Sequence, residues 1–122
     1  MEKILITGVS GQDGIFLSNL LDKKGVEILG VSRLLNKTDI EKKFRIVNLK
    51  YPNSLSIINT DLKSYRDTYK LLSDYKPNKI FNLSGPSSVY DSYLDNNIPD
   101  SILKIFDNIT KSLINQKNFP TF

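Results

Sequence analysis

Cysteine, histidine and alanine are all absent from this chain of 122 residues, and only three arginines occur in it. Without cysteine there are no disulfides, no thiolate nucleophile and no cysteine-held metal. Without histidine there is no Ser-His dyad, no imidazole base and no histidine ligand for zinc. No apolar run approaches the ~18–20 residues needed to cross a bilayer. The opening Met1-Glu2-Lys3-Ile4-Leu5-Ile6-Thr7-Gly8 lacks the cationic, apolar and small-residue zones of a secretory signal. A cytoplasmic location without membrane contact is expected. The length suits one domain, which usually spans ~100–200 residues.

Seventeen Lys and Arg against thirteen Asp and Glu give a net charge of +4. The basic residues are scattered singly or in pairs (Lys23-Lys24, Lys42-Lys43), with acids between them. A chain without alanine and rich in Lys, Asn and Ile reflects AT-rich codon usage rather than a surface built for nucleic acid, so no nucleic-acid partner is expected. The sequons at Asn36, Asn82 and Asn108 fall out of the same skew.

Strand and helix signals alternate along the chain. Residues 3–7 form a short apolar run ending in glycine, a buried strand by length and flanks. A helix follows over 14–24, with Leu17, Leu20 and Leu21 on one face. Asp13 is expected to cap its start, Lys23 and Lys24 to complement its C-terminal dipole, and Gly25 to end it in a left-handed conformation. Further strands are expected at 26–31, 55–59 and 79–83, and helices at 39–48 and from Ser64 to Tyr75, where Pro77 stops the run. A turn at Gly85-Pro86, a helical stretch over 88–93 and a helix over 101–111 follow, the last with Ile102, Ile105, Phe106 and Ile109 on one face. Residues 118–122 read as the beginning of a fifth strand. Strict alternation implies an α/β fold with a parallel sheet and right-handed crossovers.

Thr7-Gly8-Val9-Ser10-Gly11-Gln12-Asp13-Gly14 lies between the first strand and the first helix, the context in which a glycine-rich turn reads as a dinucleotide fingerprint. Gly8 permits a tight exit from the strand, and Gly11 lets backbone N–H groups approach a pyrophosphate. Gly14 permits close packing of a helix whose N-terminus faces the phosphates. The plain alternative is an ordinary glycine turn. The G-x-x-G-x-x-G spacing after Thr7 resembles the extended short-chain dehydrogenase/reductase family, and Gln12-Asp13 resembles the opening of GDP-mannose 4,6-dehydratases. Leu21-Asp22-Lys23-Lys24-Gly25, Gly30-Val31-Ser32-Arg33, Asp61-Leu62, Lys76-Pro77 and Ile80-Phe81-Asn82-Leu83 are similar as well. The resemblance implies a Rossmann-type, doubly wound parallel sheet, cut off at about the fifth strand, with residues 1–122 forming an NADP-binding domain.

An NAD-preferring enzyme usually ends its second strand with Asp or Glu, which accepts a hydrogen bond from the ribose 2′-hydroxyl. Here that position reads Val31-Ser32-Arg33-Leu34, with no acid before Asp39. Arg33 offers a fork of donors to a 2′-phosphate and Ser32 a small hydroxyl, so NADP is the expected cofactor. Leu34 stands where relatives often carry a second arginine. The resemblance further implies that Asp61 and Leu62 border the adenine, and that Leu83, Ser84, Gly85 and Ser87 line the nicotinamide side. With Gly8, Ser10, Gly11, Gln12, Asp13, Gly14, Ser32 and Arg33 these complete the expected cofactor site. Pro86 and Ser88 depart from the family pattern, as does Ser101-Ile102.

The resemblance places the catalytic Ser or Thr, the following Glu and a Tyr-x-x-x-Lys beyond the fifth strand, where this chain offers no matching positions. Tyr75-Lys76-Pro77-Asn78-Lys79 fits the last motif as text, but Pro77 prevents the single helical face it needs. Tyr65 and Tyr69 suit packing better than catalysis. The favoured reading is the cofactor-binding part of a GDP-mannose 4,6-dehydratase, inactive alone, with GDP-mannose a partner only of a full-length form. A related nucleotide-sugar epimerase or reductase and a non-catalytic dinucleotide-binding module are the alternatives. A bare edge strand and the apolar side of the last helix lead to an expectation of self-association.

Overall fold

The computed structural model describes residues 1–32, 36–84 and 100–122. The first expected strand forms as β1 (Glu2–Thr7) and is followed by α1 (Gln12–Leu21), β2 (Val26–Val31), α2 (Lys37–Ile46) and β3 (Leu55–Ile58). Then come α3 (Tyr65–Tyr75), β4 (Lys79–Asn82) and α4 (Asp100–Gln116). The expected turn at Gly85-Pro86 and helix over 88–93 lie outside the described residues, as do Arg33 and Ser87.

The chain divides into two compact units. The first comprises Met1–Thr60, Pro77–Leu83 and Pro120–Phe122; the second comprises Asp61–Lys76 and Ser84–Phe119. In the first unit four parallel strands take the order β3-β2-β1-β4. Ile4 pairs with Ile28 and Lys79, Thr7 with Val31 and Asn82, and Val31 with Ile58. The strands are apolar because parallel strands are buried on both faces. Ile4, Ile6 and Ile28 pack with Val9, Ile15, Ile40, Phe44 and Leu55 in one core cluster, and the Phe44 ring meets Tyr51 edge-on at 5.4 Å. Residues 118–122 do not extend as a strand. They contribute one parallel bridge, in which Ile80 N–H donates to the Thr121 carbonyl at 2.8 Å.

Several helix limits differ from the sequence reading, each for a local reason. α1 begins two residues early because Gly11, not Asp13, is its N-cap; Asp13 lies inside the first turn. It ends at Leu21 because the Asp22 carboxylate is drawn away, accepting hydrogen bonds from Ser54 Oγ (2.5 Å) and from the Ser54 and Asn53 N–H groups. Lys23 and Lys24 therefore fall outside the helix, and Gly25 (φ 86°) serves the turn into β2 instead of capping α1. The buried face of α1 is Gly14, Ile15 and Ser18, flanked by Leu17 and Leu21, which leaves Leu20 79% exposed.

α2 starts earlier than expected because the Asn36 side chain accepts from Thr38 N–H at 2.9 Å. It closes through Asn48 (φ 60°), with Leu49 N–H donating to the Phe44 carbonyl at 2.8 Å, the arrangement of a Schellman motif. In the second unit Ser64 caps α3 as expected, accepting from Asp67 N–H. α4 buries Asn108, Ile109, Ser112 and Leu113, with Ile102 and Ile105 half-buried; Phe106 is turned out and 51% exposed. No helix among the described residues is long and apolar enough to cross a membrane.

Candidate functional site

Strand order reverses at β1, whose two neighbours are β2 and β4. Ligands of open parallel sheets bind outside the carboxyl ends of the strands at such a switch point. The glycine turn sits there. Gly8 leaves β1 at φ 67°, and the turn is held by Val9 N–H donating to the Val31 carbonyl (3.2 Å) and Gly11 N–H to the Gly8 carbonyl (3.1 Å). Val9 is fully buried and its methyls lie over Gly30, where a Cβ would come within 2.6 Å of Val9 Cγ1. A Cβ on Gly14 would sit 2.5–2.7 Å from the O, Cα and C atoms of Val9. The close approach at Gly14 is thus to the backbone of the turn itself, a narrower role than packing against the sheet at large.

Gly11 differs from both. Its φ is −73°, and an added Cβ would meet nothing nearer than the Gly8 carbonyl oxygen at 3.4 Å. The fold itself imposes no glycine at this position. Gly11, Gln12 and Asp13 are exposed, and no side chain caps the start of α1. The first N–H groups of a helix need partners from outside it, and together with the helix dipole they favour an anion.

The carboxyl ends of β1 and β4 are joined by Thr7 Oγ1 donating to Asn82 Oδ1 at 2.6 Å and by Leu83 N–H donating to the Thr7 carbonyl at 3.1 Å. On the β2 side, Ser32 Oγ donates to Ser10 Oγ (2.9 Å), Asn59 Nδ2 to the Ser32 carbonyl (2.9 Å) and Lys43 Nζ to the Ser10 carbonyl (3.0 Å). Gly8, Ser10, Gly11, Gln12, Asp13, Gly14, Ser32 and Leu83 are accordingly gathered around one end of the first unit.

Asp61, Leu62 and Ser84 belong to the second unit. There Asp61 forms a turn, its carboxylate accepting from Lys63 N–H (3.0 Å) and its carbonyl from Ser64 N–H. Leu62 is buried, and its carbonyl accepts from Thr68 Oγ1 and Asn108 Nδ2. Arg33, Gly85 and Ser87 lie outside the described residues.

Asn59 and Lys43 were not read as site residues from the sequence, and Thr7 and Asn82 entered it only as parts of motifs. The Thr7–Asn82 pair follows from the β1–β4 register, which sequence alone does not supply. Lys43 carried a contrary signal, since Asp39 four residues earlier is the ordinary helical partner for it.

Tyr75 ends α3 while Lys79 begins β4 and pairs with Glu2 at 2.9 Å, so the Tyr-x-x-x-Lys match at 75–79 has no shared helical face. Glu2 titrates below its ordinary range because Lys79 bonds it, Asp22 because Ser54 does, and the Tyr51 phenol is raised by burial. Glu2 and Asp22 lie toward the amino ends of the strands, away from the turn, and the Tyr51 ring lies beside Lys37, whose Nζ is 4.9 Å from its centroid. A cavity of about 360 Å³ opens along the outer edge of β3, lined by Lys37, Tyr51 and residues 55–59. It is bounded largely by an edge strand and does not contain the glycine turn. No cluster of acidic side chains fit to hold a metal occurs among the described residues.

Known proteins agree with this architecture. The structure superposes on UDP-glucose 4-epimerase from Bifidobacterium longum, solved with NAD+ and UDP, at a TM-score of 0.72 and 14% identity, over 95% of this chain and 34% of that one. That likeness establishes the Rossmann-type α/β fold. In sequence, the chain is 32% identical over 94 residues to a GDP-mannose 4,6-dehydratase of Vibrio cholerae, covering 75% of this chain and 25% of that protein. It is 32% identical over 92 residues to the human GDP-mannose 4,6 dehydratase, covering 73% and 25%. The chain therefore spans about a quarter of the length of the curated relatives it matches. The model of the GDP-mannose 4,6 dehydratase family matches residues 5–101, and the chain belongs to that family.

Proposed function

We propose that residues 1–122 form the NADP-binding portion of a nucleotide-sugar dehydratase acting on GDP-mannose. The observation that carries this reading is Gly11. It is a glycine that the fold does not require, exposed at the uncapped start of α1 and at the switch point of the sheet. An omitted Cβ there makes room for something outside the chain. Family membership supports a dinucleotide as that occupant, and a pyrophosphate at a glycine-opened helix N-terminus is the usual arrangement. The residues present fit such a group, because N–H donors, hydroxyls and a lysine, with Asp13 the nearby carboxylate, surround the turn.

In this reading Gly11, Gln12 and Asp13 offer backbone N–H groups to the pyrophosphate, and Ser10, Ser32 and Arg33 take the 2′-phosphate. Asp61 and Leu62 border the adenine, and Leu83, Ser84, Gly85 and Ser87 the nicotinamide ribose. The absence of an acid at Ser32-Arg33 supports NADP over NAD, since a carboxylate there would repel the phosphate. A bound nicotinamide dinucleotide supplies hydride acceptance and return for converting GDP-mannose to GDP-4-keto-6-deoxymannose, by oxidation at C4, loss of water across C5–C6 and reduction at C6. This chain's residues bind and orient that group; its one Tyr-x-x-x-Lys is split between a helix and a strand, and the chain alone turns over no substrate. A cytoplasmic, self-associating protein completes the proposal. Self-association is supported by Leu103, Phe106 and Ile114, which stand exposed on α4.

Titration of the purified chain with NADPH and with NADH, by fluorescence or calorimetry, tests this reading. NADPH is expected to bind about tenfold or more tighter than NADH, as loss of charge-assisted bonds to the 2′-phosphate implies. Gly11→Ser is expected to keep or slightly raise stability, because serine is a good N-cap, while weakening both nucleotides. A folded parent chain that binds neither nucleotide would overturn the proposal.

A further inference from the structure

Among the described residues, Lys43 brings a charged group to the glycine turn from a separate helix. Its Nζ donates to the Ser10 carbonyl at 3.0 Å across 33 residues of sequence. Elsewhere the molecule makes the usual helical ion pairs four residues apart, Lys37 with Glu41 and Lys111 with Asp107. Asp39 stands in the same relation to Lys43 and in the favoured order, acid before base. Yet among the described residues Lys43 makes no ion pair; its ammonium is carried to the turn instead.

What it meets there is polar and already ordered. Ser10 Oγ accepts from Ser32 Oγ at 2.9 Å. Ser32 is buried directly after β2, its N–H donating to the Ile58 carbonyl at 3.0 Å and its carbonyl accepting from Asn59 Nδ2 at 2.9 Å. Three elements, the turn, the end of β2 and α2, thereby bring two hydroxyls and one ammonium to the carboxyl end of β2. An ammonium has three donors, and the Ser10 carbonyl uses one. The remaining two, beside a pair of hydroxyls and at a strand end without an acid, suit a phosphate monoester rather than a free ribose hydroxyl.

We propose that Lys43 is a specificity-determining residue that binds the 2′-phosphate of the dinucleotide while its bond to Ser10 holds the turn in place. This rests on the dinucleotide reading above and adds a residue from a separate helix to the segment after β2. Lysine acts here as a mobile point charge, so its contribution is expected to fall as salt rises.

The probes are 2′,5′-ADP and 5′-AMP, which differ by the 2′-phosphate, together with NADPH and NADH, titrated calorimetrically against the parent chain, Lys43→Met and Lys43→Arg. In Lys43→Met the affinities for 2′,5′-ADP and NADPH are expected to drop about five- to tenfold, the scale of one charge-assisted bond in a solvent-exposed setting. Those for 5′-AMP and NADH are expected to fall clearly less, by only what the lost bond to Ser10 costs the turn, and Lys43→Arg to restore most of the loss. Equal weakening of all four ligands would mean that Lys43 only braces the turn, and would overturn the inference while sparing the dinucleotide reading. Unchanged 2′,5′-ADP binding would do the same. A folded parent chain that binds none of the four would overturn both.

Discussion

The sheet unit and the helix-pair unit are held together by different chemistry. In the first, the interior is mainly aliphatic and aromatic, Ile4, Ile6, Ile28, Ile40 and Phe44 being essentially inaccessible, with Thr7, Ser18 and Ser32 the polar side chains buried among many more apolar ones. In the second, polar groups share the interior: Thr68, Asn108 and Ser112 are buried beside Leu71, Leu72, Ile109 and Leu113. Asn108 donates to the Leu62 carbonyl, Asn115 to the Tyr65 hydroxyl (2.6 Å) and Gln116 to the Tyr69 carbonyl (2.9 Å). The Ser112 hydroxyl is buried without a hydrogen-bond partner among the described residues. Apolar burial is non-directional, whereas a buried amide is held only while its partner stays within hydrogen-bond reach and angle. The sheet unit is therefore expected to be the rigid platform, and the helix pair the part whose local openings cost least.

The strongest way to break that contrast is Gly14→Ala. Its Cβ would lie within 2.7 Å of three backbone atoms of Val9, so relief requires moving the turn. Overpacking of this kind costs about 1–3 kcal/mol, occasionally more, and a loss of unfolding free energy of that size, read from the lowered denaturant midpoint, is expected. Asn108→Ala comes next. The Leu62 carbonyl keeps its bond from Thr68, so the loss is expected to be about 1 kcal/mol. Hydrogen exchange should speed up in α3 and α4 while β1 and β2 stay protected; equal acceleration in the sheet would erase the distinction between the units.

The smallest effect concerns Asp22, which ties the end of α1 to the segment before β3. Its carboxyl is held below the ordinary value, first by Ser54 Oγ and then by the Ser54 and Asn53 N–H groups. A lowered native pKa stabilises the fold above the unfolded-state value near ~3.9 and is lost as pH falls through the native one. Asp22→Asn is expected to cost under about 1 kcal/mol at neutral pH, the scale of exposed charged contacts. The difference from the parent should vanish in acid. A difference that persists once the carboxyl is protonated in the folded state would show that the ionised form is not what matters.

How far the sequence foretold all this depends on the range of the interactions. The four strands are legible because short apolar runs between turn residues have few alternatives, and the Ser64 cap because its partner is three residues away. α1 is misjudged at its C-terminal end because Asp22 answers to Ser54, far along the chain, and at its start because Gly11 rather than Asp13 is the cap. Leu20 and Phe106 look like core by spacing, and only packing shows the buried faces turned away from them. At the candidate site the glycines were readable as a motif, but their separate roles were not. Nothing in the text of the sequence says that Gly14 serves the Val9 backbone, that the missing Cβ of Gly11 makes way for no part of the chain, or that Lys43 prefers Ser10 to Asp39.

Val9 filling the space above Gly30 has a consequence for how the family can vary. The side-chain volumes at positions 9 and 30 are two shares of one fixed space between the turn and β2. A methyl gained on the strand must be given up on the turn, and a smaller residue on the turn leaves a void unless the strand grows to meet it. Substitution at either position alone is disfavoured and exchange between them is tolerated, so the two are expected to drift as a pair, a keyed joint whose halves are inherited together although 20 residues of sequence lie between them.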